Sequence, residues 1–106
     1  HETLAQRQSI YIEVYVLAEI GLARIAQHRG AYTEARERLY NMLAFSGRRS
    51  LLHLYTNSAF SLARLSLHTR QIQGISGLLE QVHQLVTAAG AADLANQCRV
   101  LQARLS

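Results

Sequence analysis

The chain has 106 residues, 49% hydrophobic and 17% charged, with eleven arginines against seven acids for a net charge of +4. One domain's length and an ordinary apolar fraction exclude wholesale disorder. The absence of lysine excludes a Schiff-base lysine and a phosphate loop ending in Gly-Lys-Ser/Thr, and the absence of proline leaves few forced breaks in a helix.

Seventeen leucines and fifteen alanines, both strong helix formers, set the local preference. The first helix is predicted from about Thr3 to His28, with an apolar stripe of Ile10, Val14, Leu17, Ala18, Leu22 and Ile25 at three-four spacing. Gly30 supplies a turn. A second helix is predicted from about Tyr32 to Ser46, with Tyr32, Ala35, Leu39, Met42 and Leu43 inward and Gly47 as its stop. The third runs from about Arg48 to Thr69. The fourth runs from about Ile72 to Ala89, weakened early by Gly74 and Gly77 so that it begins late or depends on packing. Gly90 ends it, and the fifth runs from about Ala91 to Leu105.

The chain repeats itself. Leu22-Ala23-Arg24-Ile25 recurs forty residues on as Leu62-Ala63-Arg64-Leu65, and again as Gln102-Ala103-Arg104-Leu105. Val14, Leu54 and Leu94 correspond, as do Ala18, Ser58 and Cys98, and Ile20, Phe60 and Val100. The expected architecture is all-α: about five helices in two and a half 40-residue repeats, stacked as an antiparallel helical-pair solenoid. Repeat 1 covers about 3–46, repeat 2 about 48–89 and a half repeat 91–105. Small residues at Ala23, Ala35 and Ala63 allow close helix crossings. The fifth helix has no following partner, so its stripe of Leu94, Cys98, Leu101 and Leu105 is expected to have an uncovered side. The count stops mid-repeat and the chain opens on His1 rather than methionine, which suggests a piece cut from something longer.

The stretch Leu22-Ala23, Ala26, Gly30, Tyr32, Ala35, Leu39, Met42 resembles the tetratricopeptide signature. The second repeat departs from it, with Arg70 in the glycine's place and Ile75 in the alanine's, and the period is 40 where 34 is usual. The longer period, the phrase Gly47-Arg48-Arg49 opening a helix and the Leu-Ala-Arg-Leu ending resemble the helical-repeat region of large ATP-dependent LuxR-type transcriptional regulators, of the maltose-activator kind. That resemblance implies a bacterial, cytoplasmic protein in which this region senses effectors and supports oligomerisation between an ATPase domain and a helix-turn-helix domain. DNA and ATP would then be met only through those other domains.

If the first helix of each pair lines a concave face, residues forty apart form ladders. Arg24, Arg64 and Arg104 make one, His28 and His68 another, Tyr15 and Tyr55 a third, and Asn57 sits between. Arginine forks bind carboxylates or phosphates, and aromatic rings stack on sugars or apolar groups. These eight residues are the candidate ligand or partner contacts. The competing reading is structural, with arginine stems packed on neighbouring helices and their heads bonded to carboxylates or helix ends. The histidines lack metal-ligand spacing, and no Ser/His/acid set is organised by the repeat. No metal, cofactor or catalysis is therefore expected.

The lone Cys98 cannot form an internal disulfide and is read as a small buried hydrophobe. The function expected is effector or protein binding within a LuxR-type regulator. The alternative is a free-standing tetratricopeptide-like adaptor holding an acidic peptide or partner helix in its groove. A third reading, a closed helical bundle around a cofactor or lipid, requires the first and fifth helices to touch.

Overall fold

The computed structural model describes residues 3–105, the side chain of Ala5 excepted. Every regular element among them is a helix: α1 (Leu4–His28), α2 (Tyr32–Arg48), α3 (Leu52–Thr69), α4 (Ile75–Ala88) and α5 (Ala92–Leu105). Thr3 caps α1 through a reciprocal pair of bonds. Its hydroxyl accepts from the Gln6 amide at 3.1 Å, and the Gln6 side chain accepts from the Thr3 amide at 2.8 Å. α4 begins only at Ile75, after the positive-φ residue Gly74, so the glycine-weakened start predicted for it is realised.

The turns have a shorter period than the side chains. A residue of positive φ stands at Gly30, Ser50, Arg70 and Gly90, one every twenty residues. At each, the next residue's amide donates back to a carbonyl five residues earlier. The bonds are Ala31 to Ala26 at 2.8 Å, Leu51 to Ser46 at 3.0 Å, Gln71 to Ser66 at 3.0 Å and Ala91 to Val86 at 2.9 Å. This is the glycine-type helix stop, and it is used at all four turns whether or not glycine is present. The predicted stop at Gly47 is therefore corrected: α2 runs through Gly47 to Arg48 and turns at Ser50. Gly47 serves a different need. A Cβ there would lie 3.3 Å from the Tyr55 ring.

α3 is the central element. It packs on all four other helices, while α1 packs only on α2 and α3, and α5 only on α3 and α4. Among the described residues α1 meets neither α4 nor α5. The molecule measures 48 × 34 × 20 Å.

α1 turns a different face to its neighbours than the predicted stripe. The buried positions are Val16, Ile20, Ala23 and Ala26, whereas Ile10, Val14, Leu17, Leu22 and Ile25 are exposed. The helix is apolar nearly all round, so spacing alone does not select a face. The narrower side, with two alanines, is the one that admits a close neighbour. On α2 the expected Ala35, Leu39 and Met42 are buried, Leu43 is half-buried and Tyr32 is exposed. The expected uncovered stripe of α5 is also corrected. Cys98 and Leu101 are buried and Leu94 and Leu105 are half-buried, while Val100 faces solvent. The Cys98 thiol donates to the Leu79 carbonyl of α4 at 3.1 Å, which places α4 over that side.

Two outcomes follow from this packing. Ala23→Phe overfills a buried crossing and should destabilise by roughly 1–3 kcal/mol, read by urea unfolding. Arg70→Gly removes a left-handed non-glycine residue, whose cost of about 1–2 kcal/mol is partly offset by the entropy of a new glycine. A net gain of roughly 0.5–1 kcal/mol and a raised Tm are expected.

Candidate ligand groove between the first and third helices

α1 and α3 carry the corresponding sequences forty residues apart, and they flank one pocket of about 440 Å³. Its apolar lining is Ile20 and Ala23 of α1 and Leu39 of α2, all buried. Its polar lining is Arg24, Gln27 and His28 from α1 and Ser61 and Arg64 from α3. The two helices therefore bring Arg24 and Arg64, forty residues apart in sequence, into one cavity. The helical register does this. Arg24, Gln27 and His28 recur at three-four spacing, so they share a face of α1 that borders the buried one.

The charges in this pocket are unbalanced. No carboxylate lines it. Among the described residues neither Arg24 nor Arg64 makes a side-chain hydrogen bond or ion pair. Other arginines are engaged in the structure. Arg38 binds Glu19 at 2.8 Å across the α1–α2 contact, Arg36 donates to Thr69 at 3.2 Å, and Arg49 lies 3.8 Å over the Phe45 ring. The structural reading of arginine fits those three and not the groove pair. A further polar group is left over: the Ser61 hydroxyl is buried and has no hydrogen-bond partner. A buried unpaired hydroxyl is costly, and a ligand oxygen that accepts from it removes that cost.

The other candidates separate. Tyr15 packs edge-on against Phe45, with ring centroids 5.3 Å apart. Tyr55 lines a different cleft of about 400 Å³ with Ser46, Leu51, Leu52 and Leu85, more apolar than the arginine pocket. His68 is engaged by α2: its Nε2 and the Tyr32 hydroxyl share a hydrogen bond of 3.2 Å, so it does not extend a histidine ladder from His28. Asn57 is half-buried on α3 outside the pocket, and Arg104 is exposed near the end of α5, also outside it. Of the eight, Arg24, His28 and Arg64 come together.

Ser61, Gln27 and the apolar floor were not among the eight. Ser61 stands three residues before Arg64, a same-face spacing that could have marked it. Its repeat counterpart is Gly21, so no ladder drew attention to it. Among the described residues no three His, Cys, Asp or Glu side chains gather around a common point. No helix among them is long and apolar enough to cross a membrane. Burial first, and the Glu80 carboxylate second, raise the Cys98 thiol above its ordinary pKa, which disfavours the nucleophilic thiolate.

No protein-family model, no curated protein and no solved structure matches the chain.

The orphan hydroxyl can be tested without any ligand. Ser61→Ala deletes a buried, unsatisfied group and substitutes the better helix former. Its stability should be unchanged or higher by about 1 kcal/mol in urea unfolding. A loss of 1 kcal/mol or more would mean that the hydroxyl has a protein partner in solution.

Proposed function

We propose that this chain is a non-catalytic binding segment, and that its α1–α3 groove takes the carboxylate or phosphate of an effector or of an acidic partner. The observation that carries this is the pocket's imbalance: two unengaged guanidiniums and an unpaired buried hydroxyl, with no acid among the lining residues. Guanidinium forks hold oxyanions through two parallel bonds, and a hydroxyl donor at the floor adds a third. The apolar floor of Ile20, Ala23 and Leu39 would receive the ligand's carbon portion.

We place this groove in an open tetratricopeptide-like stack of helical pairs. The 40-residue repeat supports that reading, as does the lack of contact between α1 and either α4 or α5. A bundle closed around a cofactor or lipid would bring the two end helices together. The context proposed is the effector-sensing and oligomerisation region of a bacterial, cytoplasmic LuxR-type transcriptional regulator, supported by the 40-residue period and the Leu-Ala-Arg-Leu endings. Gly47-Arg48-Arg49 lends nothing to it, because that phrase closes α2 and α3 starts at Leu52 rather than at the expected Arg48. The exposure of both guanidiniums also favours a second reading, a free-standing adaptor in which an extended acidic peptide lies along the groove.

Isothermal titration with succinate and with a short oligoglutamate peptide tests both. Binding to the wild-type chain should weaken by at least about tenfold in Arg24→Ala/Arg64→Ala, at the usual strength of charge-assisted bonds, with far-UV circular dichroism unchanged. Undiminished binding in that variant sinks the groove. Binding of the peptide but not of succinate favours the adaptor.

A further inference from the structure

The repeat allows α1 and α3 to be compared position by position. Val14, Leu22 and Ile25 of α1 correspond to Leu54, Leu62 and Leu65 of α3. On α3 these are 6%, 0% and 0% exposed; on α1 they are 59%, 43% and 49% exposed. Ala18 and Ser58, between them, follow the same split. Both helices bury their other face, Val16, Ile20 and Ala23 on one and Thr56, Phe60 and Ala63 on the other, so the difference belongs to this face alone. α3 has a helical pair before it in the chain, and of that pair α2 makes by far the more extensive contact. α2 presents Ala35, Leu39 and Met42 to its neighbours, a small-then-aliphatic stripe at four-three spacing.

The open face of α1 therefore has the same composition as one that, forty residues on, is covered by a helix. It continues past Val14 to Tyr11, which is 71% exposed, so it runs for about four turns without a break. Scattered exposed apolar residues need no explanation, but a contiguous stripe of this length marks an interaction surface. Its small centre at Ala18 and Gly21 would let a second helix approach closely. Its charged margin is mainly basic. Arg24 and Arg29 are exposed beside Ile25, while Glu19 is engaged by Arg38, leaving Glu13 as the exposed acid of the helix among the described residues.

We propose that the outer face of α1 is a docking surface for one amphipathic helix of a partner protein, with an apolar stripe of α2's type and acidic flanks. Main-chain groups are already satisfied within both helices, so the apolar stripe supplies the contact and the arginine margin selects the acidic partner. The apolar stripe is distinct from the floor of the α1–α3 groove and does not depend on that groove binding an anion, although Arg24 borders both.

The test uses the full chain and two synthetic 17-residue helical peptides, the length of α2. Both carry the α2 stripe, one with glutamate flanks and one with lysine flanks, and binding is read by fluorescence anisotropy. The glutamate peptide should bind at least about tenfold more tightly at low salt, with the advantage shrinking at high salt. Val14→Glu/Ile25→Glu should abolish binding while leaving helicity and Tm unchanged, because both side chains are exposed. Equal binding of the two peptides, no binding of either, or unaltered binding to the variant overturns the proposal. Self-association of the wild-type chain in sedimentation, lost in the same variant, also overturns it, because a second copy would then be the occupant.

Discussion

The two-sided burial of α3 is the constraint on which the rest of the molecule depends. Leu54, Ser58, Leu62 and Leu65 are covered on one side, and Thr56, Phe60, Ala63 and Ser66 on the other. A helix buried on both sides can carry few charges, and between Leu52 and Thr69 only Arg64 is always charged. That arginine sits where two packed faces meet solvent, beside the α1 helix that carries Arg24. The groove is thus a consequence of how α3 is held. Its arginines reach one cavity across the small, buried Ala23 of α1.

The four equivalent turns show how the chain tolerates poor local chemistry. Gly30 and Gly90 suit a left-handed backbone, while Ser50 and Arg70 adopt it at a cost. Each turn is locked by a bond from the following amide to a carbonyl five residues back, and each is flanked by packed helices. Packing of the helical pairs outweighs about 1–2 kcal/mol of backbone strain at each of those two turns. The spacing of twenty is therefore kept where the residue types do not announce it, and Gly47, the nearest glycine, is not used as the stop.

The burial pattern also sorts the polar groups. Arg38 meets Glu19 where α1 and α2 touch, so both charges are used between helices. Arg36 and His68 reach across the α2–α3 contact to Thr69 and Tyr32. Among the described residues, buried polar atoms without a hydrogen-bond partner remain at Arg38, Ser46, Thr56 and Ser61, and of these Ser61 shares a cavity with the unengaged Arg24 and Arg64. The anion proposed for the groove rests on that local surplus of donors over acceptors.

Much of this was legible in the sequence, and some was not, for identifiable reasons. Helix number, most helix ends and the 40-residue correspondence follow from composition, glycines and recurring Leu-Ala-Arg phrases, because these are local properties of the chain. The pairing of Arg24 with Arg64 was legible for the same reason, since equivalent helices present equivalent positions. The face that α1 buries was not. That helix is apolar almost all round, so periodicity offers several stripes and only its neighbours choose among them. The sequence by itself determined that the chain is helical, repeating and rich in arginine. Tertiary structure alone decided that Val14 and Ile25 face solvent while Leu54 and Leu65 do not, that His68 belongs to Tyr32, and that Ser61 lies unpaired in the groove. Those outcomes depend on which helices become neighbours, and no single residue or spacing encodes that.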